Sequence, residues 1–414
     1  MKETSILVLG AGMVGVSIAW HLARRGYQVT LVDRRKPGQE TSFGNAGLIQ
    51  REAIEPHPFP RSWFDILRIL PNRAIDVQYR LTAMVCEAPI LWRYWRESSP
   101  QAFERIARAY ASLIVHCTDD HQALIAASGA DALINREGWL QVYRNLDTLG
   151  AGIATADGAH RSHGVEFEAC DRQQLHELEP ALSNDAVGAV WWKNAWSVSD
   201  PGGLVDAYAR SFLAEGGTFV ESDVLSMAPS GSGWTLRLRN GTLTGEALVL
   251  AAGPWSIPML KNLGYAIPMF VQRGYHMHYE PAPGVKLNFP IFDHDRGYTL
   301  SPKRMGIRLT TGAELARADD PSCMRQLLAA ERAAREIFPL AKRKDDLVWR
   351  GARPCIADMN PVIGPALRHK NLWFAFGHGH QGFTLGPTTG RLLAAMLAGE
   401  PTQTDMAPFR ADRF

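Results

Sequence analysis

Residues 4–33, TSILVLGAGMVGVSIAWHLARRGYQVTLVD, leave few folds open to this chain. Ile6, Leu7, Val8 and Leu9 form a short unbroken apolar run, the pattern of a strand buried on both faces. The run ends at GAGMVG, residues 10–15, where a helix has to begin. Val14, Ile18, Leu22 and the Ala19/Ala23 pair recur at helical spacing as far as Arg25, and Gly26 stops the helix. Val29, Leu31 and Val32 then carry a second strand that closes on Asp33. The chain therefore opens as strand, glycine turn, helix and strand.

Each glycine has a separate task in such a unit. Gly10 allows the tight turn, Gly12 lets a pyrophosphate approach the backbone, and Gly15 lets helix and strand pack closely. Asp33 takes the acidic position that accepts hydrogen bonds from an adenosine ribose. A bare GxGxxG is weak evidence; strand, turn, helix, strand and acid in the right order make an adenosine diphosphate site. The unit alone does not separate NAD from FAD.

With 414 residues, 46% of them hydrophobic, the chain can bury a large core and divides into two domains. A formal net charge of +2 gives no electrostatic reason to expect nucleic acid. No apolar run is long enough to cross a bilayer. Met1, Lys2, Glu3 and Thr4 lead straight into the first strand and leave no stretch for a signal peptide, so the expected location is the cytoplasm, with at most peripheral contact with a membrane. Cys86, Cys117, Cys170, Cys323 and Cys355 are scattered and read as buried or incidental thiols. His276 with His278, and His378 with His380, lack acidic or thiol companions at ligand spacing, so no metal is expected.

After the basic turn at 34–38, the segment TSFGNAGLI at 41–49 is dominated by small residues. It can lay its backbone against a planar ring system, or it can be an ordinary connection. Residues 56–130 are rich in Trp, Arg and Leu at helical spacing; their aromatics read as core in preference to a membrane-facing surface. Strands are expected at 138–143, 187–190, 218–221, 269–279, 297–301 and 304–310, and helices at 171–182, 201–216 and 321–338. Residues 234–238 and 242–250 read as a hairpin around Asn240 and Gly241, its second strand finishing in Ala251, Ala252 and Gly253. Near the C-terminus, an apolar strand at 371–376 runs into GHGHQGFT at 377–384 and a long helix. The amides of that loop can face an anionic group, or the loop can be a tight turn only.

Taken together, GAGMVG, TSFGNAGLI, LVLAAGPWS, QRGYHMHY, TLSPKRMGIRLTTGAEL, WRGARP and NLWFAFGHGHQGFTLGPTTGRLLAAML resemble, in order and spacing, the D-amino-acid dehydrogenase branch of the FAD-dependent D-amino-acid oxidase, glycine oxidase and sarcosine oxidase superfamily. The likeness spans nearly the whole chain. It implies an α/β architecture, α+β overall, with a Rossmann-like FAD-binding domain at 1–130, 188–262 and 352–414. A discontinuous antiparallel-sheet substrate domain would occupy 131–187 and 263–351.

The same resemblance implies a set of site residues. Gly10, Gly12, Gly15 and Asp33 would hold the ADP half of a non-covalent FAD, with Arg34, Ser42, Val224 and Gly253 in its shell. Asn45, Ala46 and Gly47 would lie against the isoalloxazine ring, and Gly379, Gln381, Gly382 and Thr384 at its pyrimidine edge. Arg353 matches the arginine that grips a substrate carboxylate; the alternative is a structural ion pair, for instance with Asp358. Tyr298 would face the substrate, with Tyr275 and His276 as weaker candidates from the same sheet, and His380 joins the catalytic set. Cys355 sits in a local pattern unlike that of the covalent flavin link of sarcosine oxidases.

The implied reaction is oxidation of a D-amino acid by hydride transfer from Cα to flavin N5, with electrons passed to a quinone, a protein or oxygen. His380 and Gln381, together with Gln50 and Arg51, depart from the family's usual residues and leave a cyclic or secondary amine open, such as a D-hydroxyproline, D-proline or a sarcosine-like compound. A flavin-binding subunit of a larger complex is the alternative from another class, and an NAD-dependent enzyme would leave the C-terminal glycine loop without a task.

Overall fold

The computed structural model describes residues 4–414; residues 1–3, on which the signal-peptide reading draws, lie outside the described residues. A six-stranded sheet carries the opening unit. Its order is Thr218–Glu221, Gln28–Asp33, Ser5–Leu9, Ala247–Leu250, Leu372–Phe376 and Val362–Pro365, parallel throughout except for the last pair. Ile6 and Val8 enter the core on one face, Leu7 and Leu9 that on the other. Burial on both faces is why this strand reads as an unbroken apolar run, and each such side chain contributes about 2 kcal/mol.

One face of the sheet is covered by the helices Met13–Ala23 and Gly382–Ala398. They approach through glycines: a Cβ on Gly386 would lie 2.5 Å from Met13 Cγ, and one on Gly390 2.7 Å from the Ser17 carbonyl carbon. Pro201–Ala214 packs alongside, its first turn capped by the Asp200 carboxylate, which accepts from the Gly203 amide at 2.9 Å.

The second layer is a mostly antiparallel sheet of eleven strands. Met269–Pro281 is its longest member and pairs with Gly306–Thr310 and, on its other side, with Trp349–Ile356. Beyond Gly306–Thr310 come Tyr298–Lys303, Ile291–Asp293, Trp139–Tyr143, Gly188–Trp192 and Phe167–Asp171. The helix Arg325–Ile337 closes this layer with Leu327, Ala330, Ala334 and Ile337.

Four expectations change. Residues 242–250 are not one strand: Gly241–Gly245 completes a three-stranded sheet, while Ala247–Leu250 joins the parallel sheet, the chain passing between them at Glu246. The helix placed at 171–182 is shorter, Arg172–Leu178, begun by a reciprocal Asp171–Gln174 capping box. Gly188–Trp192, assigned to the FAD-binding part, pairs instead between two strands of the large sheet, because its alternating side chains fill the Trp139 and Leu140 cores. Trp349–Ile356 likewise runs unbroken across the expected boundary at 351/352.

The aromatic-rich segment gives the fourth change. Its helices form at Trp63–Ile69, Ala88–Glu97 and Pro100–Ile114, and Tyr94, Tyr110 and Ile114 are core as expected. Trp63 (79% exposed), Phe64 (77%) and Trp92 (64%) are not, and Leu67, Leu70, Leu81 and Val85 stand out with them. Helical spacing marks which residues share a face; it does not say whether that face has a partner.

Candidate active site

A single elongated cavity of about 1330 Å³ runs from the opening unit, along the segment 40–57, to the large sheet. Its first end is built almost wholly from backbone. Gly10 has φ +113°, and a Cβ there would lie 2.4 Å from the Ala251 carbonyl oxygen; on Gly15 it would lie 1.8 Å from the Gly10 oxygen. These two glycines let strand, helix and neighbouring strand meet. Gly12 differs: the nearest atom to an added Cβ is Ser42 Oγ at 3.4 Å, so its surface opens toward the cavity. The first helix has no side-chain cap on Gly12, and its Met13 amide donates to Ser42 Oγ at 3.0 Å. A helix start with no cap from its own N-cap residue and a cleared approach at Gly12 is a seat for a pyrophosphate.

Asp33 Oδ2 accepts from the Ala11 amide at 2.6 Å, fixing the turn, and burial pushes the carboxyl above its usual range against that bond. Arg34, Val224 and Gly253 line the same end, the Arg34 guanidinium lying 4.2 Å over the Trp255 ring. Gly15 is behind the wall and acts through packing.

At the second end the cavity is built from side chains of distant segments. Asn45 and Ala46 line it, and Asn45 Oδ1 accepts from the Gly47 amide at 2.7 Å. Gly47 lies outside the lining with φ +71°, where a Cβ would meet Lys303 Nζ at 2.3 Å and the Val198 oxygen at 2.5 Å. Gly377 and Gly379 take left-handed conformations that turn the loop around the cavity, and the helix Gly382–Ala398 starts there without a side-chain cap. Gly379, Gln381 and Gly382 line the cavity; Thr384 does not, its hydroxyl accepting from the Gln50 amide at 3.3 Å.

Arg353 is held in the wall by Nη1 donating to the Gly312 carbonyl at 2.9 Å and Nη2 to that of Thr311 at 3.4 Å. Gly274 makes room for it: a Cβ there would be 2.6 Å from Nη2. Among the described residues no carboxylate pairs with Arg353. Asp358, the candidate partner, binds Arg413 instead at 2.6 Å. The nearby imidazoles of His57 and His380 are held below their usual range, His380 well below it, by burial first and by Arg353 second, so neither competes as a cation. His380 Nε2 is 2.8 Å from Gln272 Oε1, which makes that nitrogen the protonated one, and His57 meets the His380 ring edge-on.

Tyr298 is the clear miss. It is 1% exposed, outside the cavity, and its hydroxyl meets Arg144 and the Ala333 carbonyl; its neighbours Gly297 and Thr299 line the cavity, because alternate strand residues face opposite sides. Tyr275 is also turned away, donating to Glu314, and His276 stacks on Trp349 at 4.7 Å. The Cys355 thiol is outside the main cavity and burial pushes it up to about 12, so it stays protonated.

One acid was not anticipated. Glu52 lies on the cavity wall, its Oε1 accepting from Gln50 Nε2 and Trp139 Nε1, both at 2.9 Å. Gln381 Nε2 in turn donates to Gln50 Oε1 at 2.9 Å. Burial pushes the Glu52 carboxyl up to about 7. The only trace of this in the sequence is polar residues at 50 and 52 directly after an apolar pair.

Backbone seats at two uncapped helix starts, a cleared approach at Gly12 and a long channel between them suit an extended dinucleotide whose ring end lies beside an unpaired guanidinium. That class is a dinucleotide-dependent oxidoreductase. The model of the family "FAD dependent oxidoreductase" matches residues 5–396, and the chain belongs to that family. FAD is its cofactor. A D-amino acid dehydrogenase of Granulibacter bethesdensis is 30% identical over 440 residues, covering 99% of each chain. A D-amino-acid oxidase of Bradyrhizobium diazoefficiens is 27% identical, over 99% of this chain and 98% of its own. The crystal structure of glycine oxidase from Geobacillus kaustophilus shares the fold with a TM-score of 0.75 at 21% identity, over 99% of each chain.

Proposed function

We propose that the chain oxidises a small D-amino acid at its Cα–N bond. The observation that carries this reading is Arg353: a guanidinium on the cavity wall, held by two carbonyls and lacking an acidic partner among the described residues. Such a group is costly unless an anion joins it, and its planar fork fits a carboxylate at two points. FAD, held by the cavity residues, would supply the hydride acceptor for the Cα–H bond. Arg353 orients the substrate through its carboxylate, the neutral His57 and His380 leave that charge undisputed, and the start of the Gly382–Ala398 helix offers amides to negative charge at the ring's edge. The amine enters neutral, and no side-chain base is required. Anaerobic addition of D-amino acids to the purified holoprotein is expected to bleach the flavin; if no amino or imino acid does so, the reading fails.

A cyclic or secondary amine is the second reading, favoured by the Gln272–His380 and Gln50–Gln381 pairs on the cavity wall. D-proline and cis-4-hydroxy-D-proline in the same assay separate the two. For the electron acceptor, we favour a quinone. Ile66, Ile69, Leu70 and Leu81 line the cavity, while Trp63 and Phe64 on the helix Trp63–Ile69 and Val85 on the helix Leu81–Cys86 are exposed. No helix among the described residues is long and apolar enough to cross a membrane, so this face would rest on one. Sedimentation with phosphatidylglycerol vesicles is expected for the native chain and not for a Trp63→Ser/Phe64→Ser variant.

A further inference from the structure

Behind the segment that would meet the flavin ring lie a buried arginine and a partly buried lysine that the proposed reaction does not use; burial holds the lysine's amine well below its usual range. Arg308 is 2% exposed, and its Nη1 donates to the carbonyls of Phe43 at 2.7 Å and Asn45 at 2.6 Å. Lys303 Nζ donates to the Val198 carbonyl at 2.6 Å and sits directly behind Gly47. Neither forms an ion pair among the described residues, although Asp200 and Asp345 act on Arg308 from further away. An arginine buried against two carbonyls and an imidazole, with no carboxylate in contact, is an expensive arrangement for a connection whose only task is to join two strands.

The arginine is itself aimed by a relay. Arg308 Nε donates to His278 Nε2 at 3.0 Å, so that nitrogen carries the lone pair and Nδ1 the proton. Nδ1 then donates to Asp345 Oδ2 at 2.7 Å, and the same oxygen accepts the His278 amide at 2.7 Å. Burial and Arg308 hold the imidazole below its usual range, which keeps it neutral and fit to accept. From the partly exposed Asp345 inward, every donor and acceptor in this line has one arrangement.

We propose that Arg308, aimed by His278 and Asp345 and flanked by Lys303, is a positioning residue that locks the cofactor-facing loop and sets how readily the bound flavin is reduced. Reduction adds negative charge to the ring, and a fixed positive charge behind its seat favours that state in a low-dielectric interior. The inference rests on the proposed placement of Asn45 and Ala46 against the ring.

The test compares native holoprotein with Arg308→Met, Arg308→Lys and Asp345→Asn, each equilibrated against a redox dye of known potential with no amino acid present. For a charge ~10 Å from the ring at an effective dielectric of ~20, R308M is expected to lower the equilibrium constant for flavin reduction on the order of tenfold. FAD is also expected to dissociate more readily as the loop loosens. R308K restores the charge without the two-carbonyl grip, so the dye equilibrium recovers while FAD affinity stays weak. D345N removes the anchor of the relay together with one negative charge, so FAD is expected to dissociate more readily than from the native protein, though less than from R308M, while the dye equilibrium does not fall as it does in R308M. An R308M holoprotein within about twofold of native in both readouts overturns the proposal. If R308M does not fold, native values for both R308K and D345N overturn it instead. Because no substrate enters, the result is independent of whether any D-amino acid is oxidised.

Discussion

The two ends of the cavity are built by different means. At the adenosine end, one stretch of 30 residues supplies strand, turn, helix start and acid, and the working atoms are backbone amides with space around them. At the reacting end, Arg353, Gln272, His380 and Gln50 arrive from four separate segments, and the working atoms are side chains, Arg353 being held by the Gly312 and Thr311 carbonyls. The first end tolerates changes in side chains and fails when a Cβ is added. The second fails when a single functional group is removed, its backbone serving to hold and aim those groups. On the proposed reading, cofactor binding and substrate choice are separated along one channel.

The sharpest way to break this division is Arg353→Met. The comparison predicts a loss of roughly 10²–10³-fold in kcat/KM with FAD affinity unchanged, checked by steady-state kinetics and flavin titration. Equal losses in both would mean that the ends are not separate. A second test concerns the carboxyl at the reacting end. Glu52 is raised from an ordinary 4.5 to about 7, so the folded apoprotein keeps a proton that the unfolded chain releases. This contribution to stability is whole below pH 4.5 and is lost as pH rises to about 7, amounting to ~3 kcal/mol. Denaturation of Glu52→Gln across that window should show a shallower slope than the native chain. Glu179, raised similarly by burial, leaves part of the slope in place.

At the adenosine end, Gly15→Ala puts a methyl 1.8 Å from the Gly10 oxygen and is expected to destabilise the apoprotein by about 1–3 kcal/mol. Gly12→Ala has room in the empty protein, so it should leave the melting temperature nearly unchanged and weaken FAD binding instead. Identical behaviour of the two would contradict the assignment of packing to one glycine and cofactor approach to the other. The smallest effect is expected for Tyr298→Phe. Its hydroxyl faces Arg144 and Ala333, so kcat/KM should hold within about twofold while stability falls by ~1 kcal/mol.

The same contrast governs what the sequence discloses. The adenosine end is legible because its meaning is local: spacing within residues 4–33 already dictates the strand, turn and helix that the structure contains. The reacting end is legible only where one residue type is distinctive, as Arg353 is in its arginine–proline context. Tyr298 was misplaced because a one-residue shift in strand register moves a side chain to the opposite face, and nothing in the residues 297–301 marks which face is inward. Glu52 went unread because its partners, Trp139 and Gln381, are remote in the chain. The exposed Trp63 and Phe64 show a further limit, since amphipathic spacing looks the same whether or not the apolar face is covered.

The glycine contact between the two helices that start at the cavity has a consequence for cofactor choice. Gly386 and Gly390 press the Gly382–Ala398 helix against Met13 and Ser17, backbone and side-chain carbons alike, with no side chain of their own between to act as a cushion. The gap between the two amide-lined helix starts is therefore set by a rigid pair, like the jaws of a calliper locked at one opening. A cofactor of the wrong length cannot bring both of its ends into register, and widening the jaws by one methyl at Gly390, which does not line the cavity, would change which molecule fits.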